Sequence, residues 1–100
     1  MLLGKVIGTV VASQKDVKLE GLKFMVLQIM DLAGKLTSTY VVAVDAVGAG
    51  VGEVVMYASG SSARQTAATH NKPCDAVIMA IVDSWSVEGS TIYNKATQEG

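Results

Sequence analysis

Runs of apolar residues, separated by short polar segments, give this chain the pattern of a small all-β protein. Five such runs are rich in the β-branched and aromatic residues that favour strands. The predicted strands are 2–13, 24–31, 40–45, 53–58 and 75–87. Segments with Gly, Ser and charged residues separate these strands, as is typical of turns and loops.

Three of the predicted strands lack the alternation of apolar and polar residues that an exposed strand shows. In the second strand, Val26 and Met30 lie on one side and Leu27 and Ile29 on the other. An antiparallel sheet usually buries one face and exposes the other to water. The interior of a barrel would cover one of these faces only. We therefore expect the outer face to contact a neighbour, most simply another copy of the chain.

A single short helix is predicted between the fourth and fifth strands. Ser62 precedes an Ala-rich segment, which is a helix N-cap pattern, and the expected helix is 62–67. Five strands and one short helix in this length suggest a small five-stranded OB-like β-barrel. Residues 1–87 are expected to form this single domain. Residues 88–100 form a polar tail that we expect to be partly disordered.

Composition narrows the possible classes of protein. The hydrophobic fraction is 50%, only 17% of residues are charged, and the net charge is −1. A typical soluble domain carries about 25% charged residues, so part of this surface is expected to be covered by partners. No apolar run approaches the roughly 20 residues of a spanning helix, and no signal peptide is recognised, so a cytosolic protein is expected.

The segment 45–53 joins the third and fourth strands and contains three glycines at alternate positions: Gly48, Gly50 and Gly52. A tight turn needs only one or two glycines. A flexible hairpin tip is one interpretation. A phosphate cradle is another, but such a loop normally opens a helix and brings a Lys. The preferred interpretation is a loop that packs closely at a subunit contact, because glycine permits close backbone approach.

Candidate catalytic residues form no convincing constellation. Ser61, Ser62 and His70 could be imagined as nucleophile and base, but no third group orients the histidine. Cys74 is the single cysteine, which excludes an internal disulfide and a cysteine-based metal cluster. Carboxylates at strand ends would bind a metal only if several converged; they are Asp45, Glu53, Asp75 and Asp83. No catalytic residue, metal or cofactor is therefore predicted.

An OB-like barrel also raises the hypothesis of a module that binds a ligand or single-stranded nucleic acid. Such binding uses a basic groove with stacking aromatic side chains. The aromatic residues here are isolated and lack interleaved Lys or Arg: Phe24, Tyr40, Tyr57, Trp85 and Tyr93. Nucleic acid and membrane are therefore not expected as partners, and the binding module stays as the alternative.

Three segments in order carry a resemblance to a known family. They are 45–53 (DAVGAGVGE), 59–64 (SGSSAR) and 75–83 (DAVIMAIVD), and the segments 4–11 (GKVIGTVV) and 21–24 (GLKF) fit as well. Over about residues 1–87 the chain resembles the CcmL/EutN family, the vertex proteins of bacterial microcompartment shells in carboxysomes and catabolic organelles. The resemblance implies an OB-like barrel without enzymatic activity. It also implies a homopentamer that packs against hexameric shell proteins at the fivefold corners of the shell.

The resemblance further implies which residues form subunit or shell contacts. The first motif supplies Gly48, Ala49, Gly50, Gly52 and Glu53, and the second supplies Ser61, Ser62, Ala63 and Arg64. Arg64 is the best candidate for a specific polar contact, because its planar guanidinium donates several hydrogen bonds at once. Asp45 and Asp83 are expected to hold loop backbone.

Overall fold

The computed structural model describes residues 1–67, 69–70 and 75–97, and these form strands joined by short 3₁₀ helices. The strands are β1 (Leu2–Val10), β2 (Phe24–Met30), β3 (Leu36–Asp45), β4 (Val54–Ser59), β5 (Ala76–Ile81), β6 (Ser84–Val87) and β7 (Ser90–Asn94). The 3₁₀ helices are η1 (Val17–Leu19), η2 (Gly60–Arg64) and η3 (Lys95–Thr97). None of the helices in these ranges has the length and apolar character required to cross a membrane.

The first five strands close into a barrel in the order β1-β2-β3-β5-β4, with β4 returning to pair with β1. Neighbours are antiparallel except for β3 and β5, which are parallel and, within the described residues, pair at Val44–Val77 and Asp45–Ile78. The predicted five-stranded barrel is thus confirmed. Because β5 separates β3 from β4, the segment 45–53 is a crossover loop, and its interpretation as a hairpin tip is wrong.

The barrel interior is filled by side chains from alternate positions of each strand. Val6, Leu27 and Val41 face one another across β1, β2 and β3, and Met25 faces Ala43 in the next inward layer. The Tyr57 ring also lies inside, where burial raises the pKa of its hydroxyl. This close packing of apolar side chains accounts for one apolar face of the strands.

The 3₁₀ helix η2 covers part of the outer barrel wall. Its fully buried Ala63 packs against Val44, Ala58 and Val77. The predicted helix is confirmed in its place between the fourth and fifth barrel strands, but the bounds 62–67 are wrong, since the helix spans 60–64 and is 3₁₀. The predicted cap also fails, because the residue at the N-cap is Ser59 and its side chain makes no capping hydrogen bond.

Several strands begin or end at other residues than predicted, because residue types alone do not show where a strand stops pairing with its neighbour. β1 ends at Val10 instead of residue 13, β3 begins four residues earlier than expected, and β4 is shifted by one residue. The predicted strand 75–87 is two strands, β5 and β6. Val82 donates to the Val54 carbonyl at 2.8 Å, and the chain then leaves the barrel to pair with β7. The tail thus supplies β7 and η3, and residues 98–100 lie outside the described part.

The β6–β7 hairpin is fastened to the turn between β2 and β3. The Trp85 indole stacks on Tyr93 with ring centroids 5.2 Å apart, and its Nε1 donates to the Leu32 carbonyl at 3.0 Å. Ile92 packs against Gly34, which adopts a φ of +83°. The hairpin therefore packs at a defined position against the turn between β2 and β3, although it forms a sheet of its own.

Candidate functional site

The crossover loop 45–53 begins with a turn held by a carboxylate. Asp45 Oδ1 accepts hydrogen bonds from the backbone amides of Val47 at 3.0 Å and Gly48 at 3.1 Å. Gly48 has a φ of +79°, a conformation that glycine adopts without strain. Asp45 thus holds loop backbone, as predicted. Among the described residues, the Asp83 carboxylate has no such role. Only the backbone carbonyl of Asp83 accepts a hydrogen bond there, from the Lys95 amide.

The middle of this loop packs against the protein's own barrel. Ala49 is only 2% exposed and belongs to the barrel core. The Gly52 amide donates to the Val6 carbonyl at 2.8 Å, and the Val6 amide donates to the Glu53 carbonyl at 2.9 Å. The loop therefore continues the hydrogen bonding of β1 and closes one end of the barrel. Ala49 is thus used inside the subunit, and the expected close backbone contact of the loop with a neighbour stays a prediction.

Glu53 connects the loop to the C-terminal segment. Its Oε1 accepts from the Gly50 amide at 2.6 Å, and its Oε2 pairs with Lys95 Nζ at 2.6 Å. The hydrogen bond from Lys95, followed by that from the Gly50 amide, lowers the pKa of Glu53. The same pair raises the pKa of Lys95. Glu53 thus acts within the subunit, which the sequence motif alone did not indicate.

The second motif divides into exposed and buried positions. Ser61, Ser62 and Arg64 are exposed on η2, and they remain available for contacts with other chains. Ala63 is fully buried beneath them, so its side chain cannot reach a partner, contrary to the prediction. Thr69 Oγ1 donates to the Ala63 carbonyl at 2.5 Å and steadies the end of the helix.

Of the residues considered for catalysis, the three on and after η2 lie at the surface. His70, Ser61 and Ser62 are exposed. Within 1–67, 69–70 and 75–97, no group of three His, Cys, Asp or Glu side chains could hold a metal ion. Cys74 lies outside the described residues.

The outer wall of β1, β2 and β3 carries mostly apolar side chains that are half-buried or exposed, except where η2 covers Val44. Cross-strand rows on this wall are Val10–Phe24–Val44, Gly8–Val26–Val42, Lys5–Gln28–Tyr40 and Leu3–Met30–Leu36. Tyr40 is 56% exposed and Val42 is 50% exposed. The sequence predicted this outer apolar face from its two-sided strands, yet none of these residues was named as a site. We call the side chains of Val10, Val26, Tyr40 and Val42 the outer apolar face.

Comparison with known proteins agrees with the resemblance noted from the motifs. Residues 1–83 match a family described as "Ethanolamine utilisation protein EutN/carboxysome". The carboxysome shell vertex protein CcmL of Gloeobacter violaceus is 46% identical, over 98% of both chains. Its solved structure has a TM-score of 0.93 and covers 96% of this chain and 99% of that one. The pentameric microcompartment shell protein GrpN of Rhodospirillum rubrum has a TM-score of 0.79 at 41% identity, covering 87% of this chain and 100% of the other.

Proposed function

The chain belongs to the EutN/CcmL family, and on that premise we propose that it is a non-catalytic, pentameric vertex protein of a bacterial microcompartment shell. A lattice of hexameric tiles is flat, and fivefold units allow such a lattice to curve and close. The chain would occupy those fivefold corners as a ring of five copies, in contact with the surrounding hexameric shell proteins.

The observation that carries this proposal is the outer apolar face. Burial of apolar surface stabilises an assembly by about 25 cal/mol per Å². A barrel whose interior is already filled gains nothing from further apolar residues on the outer wall unless another molecule covers them. A ring uses the same head-to-tail contact at every seam, so one apolar face per subunit serves all five contacts.

The exposed residues of the two motifs are proposed to contact neighbouring subunits or the hexameric tiles at the rim. In the loop these are the backbone positions Gly48 and Gly52, with the half-buried Gly50 between them, which leave room for close approach. On η2 they are Ser61, Ser62 and Arg64. Ala49, Ala63 and Glu53 would support these contacts from inside the subunit.

Co-expression with hexameric shell proteins tests this function. We expect closed polyhedral shells by electron microscopy when the chain is present, and open sheets or tubes when it is omitted. Arg64→Ala is expected to reduce incorporation into shells, whereas Lys18→Ala, a matched loss of an exposed cation on η1, should leave incorporation unchanged. Shells that close equally well without the chain would contradict the proposed function.

A further inference from the structure

The crossover loop 45–53 is tied to the barrel by backbone hydrogen bonds at both of its ends. Between them, Gly48 and Gly52 have φ angles of +79° and +94°, which glycine adopts without strain and which give the loop backbone unusual freedom. The buried Ala49 side chain anchors one point of this segment in the core. Gly50 has no side chain of its own to anchor. Its position therefore depends on the groups that contact its backbone.

The Glu53 side chain is a group that holds Gly50. Its Oε1 accepts a hydrogen bond from the Gly50 amide at 2.6 Å, and a Cβ added at Gly50 would lie 3.4 Å from the same oxygen. The carboxylate thus covers the loop backbone at this point. The Glu53 side chain is 25% exposed. Because a glutamate gains rotamer freedom by turning towards water, the contact with Gly50 alone does not fix it.

Lys95 supplies a second contact to this carboxylate from the C-terminal segment. Its Nζ pairs with Glu53 Oε2 at 2.6 Å, the one ion pair among the residues that the structure describes. The Lys95 backbone is itself held, because its amide donates to the Asp83 carbonyl at 2.8 Å. In η3, the Ala96 amide also donates to Asn94 Oδ1 at 3.0 Å. Glu53 is therefore held between the loop and an anchored residue 42 positions away in the chain.

We propose that Lys95 is a positioning residue for the crossover loop, acting through the Glu53 carboxylate to fix the backbone that this loop presents to other shell subunits. The hydrogen bond between Glu53 and Gly50 is local to the loop, whereas the contact with Lys95 links the loop to the segment after β7. The conformation of the loop is thus set in part by the C-terminal segment. The consequence for shells rests on the proposed function, and the positioning of the loop does not.

Titration and hydrogen exchange on the full chain test the positioning. In Lys95→Met, loss of the hydrogen bond from Lys95 should raise the pKa of Glu53 towards its ordinary value, as followed by NMR of the side-chain carboxyl carbons. Asp83 and Tyr93 also act on Lys95 through their charges, so the Asp83 carboxyl is followed in the same titration. The Gly50 amide should exchange at least about threefold faster in this variant.

A rescue variant and a matched control separate positioning from a general loss of charge. Lys95→Arg should restore both the lowered pKa of Glu53 and slow exchange at Gly50, because a guanidinium also pairs with a carboxylate. Lys18→Met removes an exposed cation on η1 and should change neither quantity. Unchanged Gly50 exchange in Lys95→Met, or exchange in Lys95→Arg that is as fast as in Lys95→Met, would overturn the proposal.

Shell assembly distinguishes this inference from the proposed function. On co-expression with hexameric shell proteins, Lys95→Met should show a partial loss of incorporation, and Lys95→Arg should restore it. If the unmodified chain enters no shell, the proposed function fails, while Gly50 exchange still decides whether Lys95 positions the loop. Full incorporation of a Lys95→Met variant whose Gly50 amide exchanges faster would overturn the claim that this loop conformation serves shell contacts.

Discussion

The packing of the β6–β7 hairpin against the turn between β2 and β3 can be tested by substitution of Gly34. A Cβ added at this position would lie 3.1 Å from Ile92 Cγ2 and 4.0 Å from Trp85 Cζ2. In Gly34→Ala, the φ of +83° costs about 1–2 kcal/mol for a residue with a Cβ. Displacing Ile92 from its rotamer adds about 0.5–1.5 kcal/mol. We therefore expect a loss of about 1.5–3.5 kcal/mol in the free energy of unfolding.

Gly21→Ala is the matched control for Gly34→Ala. Gly21 has a φ of +81°, and nothing lies within 4 Å of an added Cβ. This variant should therefore show the backbone strain alone. Denaturation at one fixed protein concentration gives the free energies, because assembly makes the apparent stability concentration-dependent.

The fluorescence of Trp85, the single tryptophan, reports the position of the hairpin directly. In Gly34→Ala its emission should shift to longer wavelength as the contacts with Leu32 and Tyr93 loosen, and in Gly21→Ala it should not change. Equal stabilities of the two variants, together with unchanged Trp85 emission in both, would refute the described packing of the hairpin against Gly34.

Three further predictions concern the loop, the outer wall and the core. The ion pair with Lys95 lowers the folded-state pKa of Glu53, so its stabilisation is present above the ordinary value of 4.5 and is lost as the pH falls through the folded-state pKa. In Glu53→Gln, the melting temperature should thus fall less steeply than in the unmodified protein as the pH is lowered. Ala63→Leu should cost about 1–3 kcal/mol of unfolding free energy by overpacking, whereas the exposed control Ser61→Leu should change it little. Leu27→Ala should cost about 2–5 kcal/mol in denaturant titrations, because it opens a cavity in the barrel core.

Each of these predictions has a contradicting result. A melting temperature that falls equally steeply with pH in Glu53→Gln would show that the ion pair does not act in solution. Equal effects of Ala63→Leu and Ser61→Leu would place η2 away from the barrel wall. A Leu27→Ala variant of unaltered stability would be incompatible with a packed barrel interior.

The barrel could be predicted because its strands repeat a simple local pattern. Each predicted strand is a run of mostly apolar residues of types that favour strands, as around Leu27, although both of its faces are apolar. Turn residues mark the ends of these runs, as Gly34 does between β2 and β3. The number of barrel strands and their approximate positions follow from these local features.

Strand pairing could not be predicted by the same means, since it depends on contacts between distant residues. Nothing local to 75–87 shows that Val82 leaves the barrel, because residues on both sides of that point are equally suited to strands. The role of Glu53 was missed for a similar reason. Its partner Lys95 lies 42 positions away, in a tail that the sequence presented only as polar.

The contact residues named from the motifs stay a prediction, and the structure shows only which of them are exposed. The motifs located the exposed positions Ser61, Ser62 and Arg64, but they also included Ala49 and Ala63, which serve the subunit's own core. A short motif does not distinguish a residue that contacts a partner from one that supports the loop beneath it. The outer apolar face was expected in kind, yet its residues became definite only when the cross-strand register was known.

The stoichiometry of the purified protein tests the central claim most directly. Native mass spectrometry at micromolar concentration is expected to give a species of five times the 10.4 kDa mass of one chain. This result would show the ring of five that the account requires. A folded species of one chain mass that persists at that concentration would contradict the account of a vertex ring.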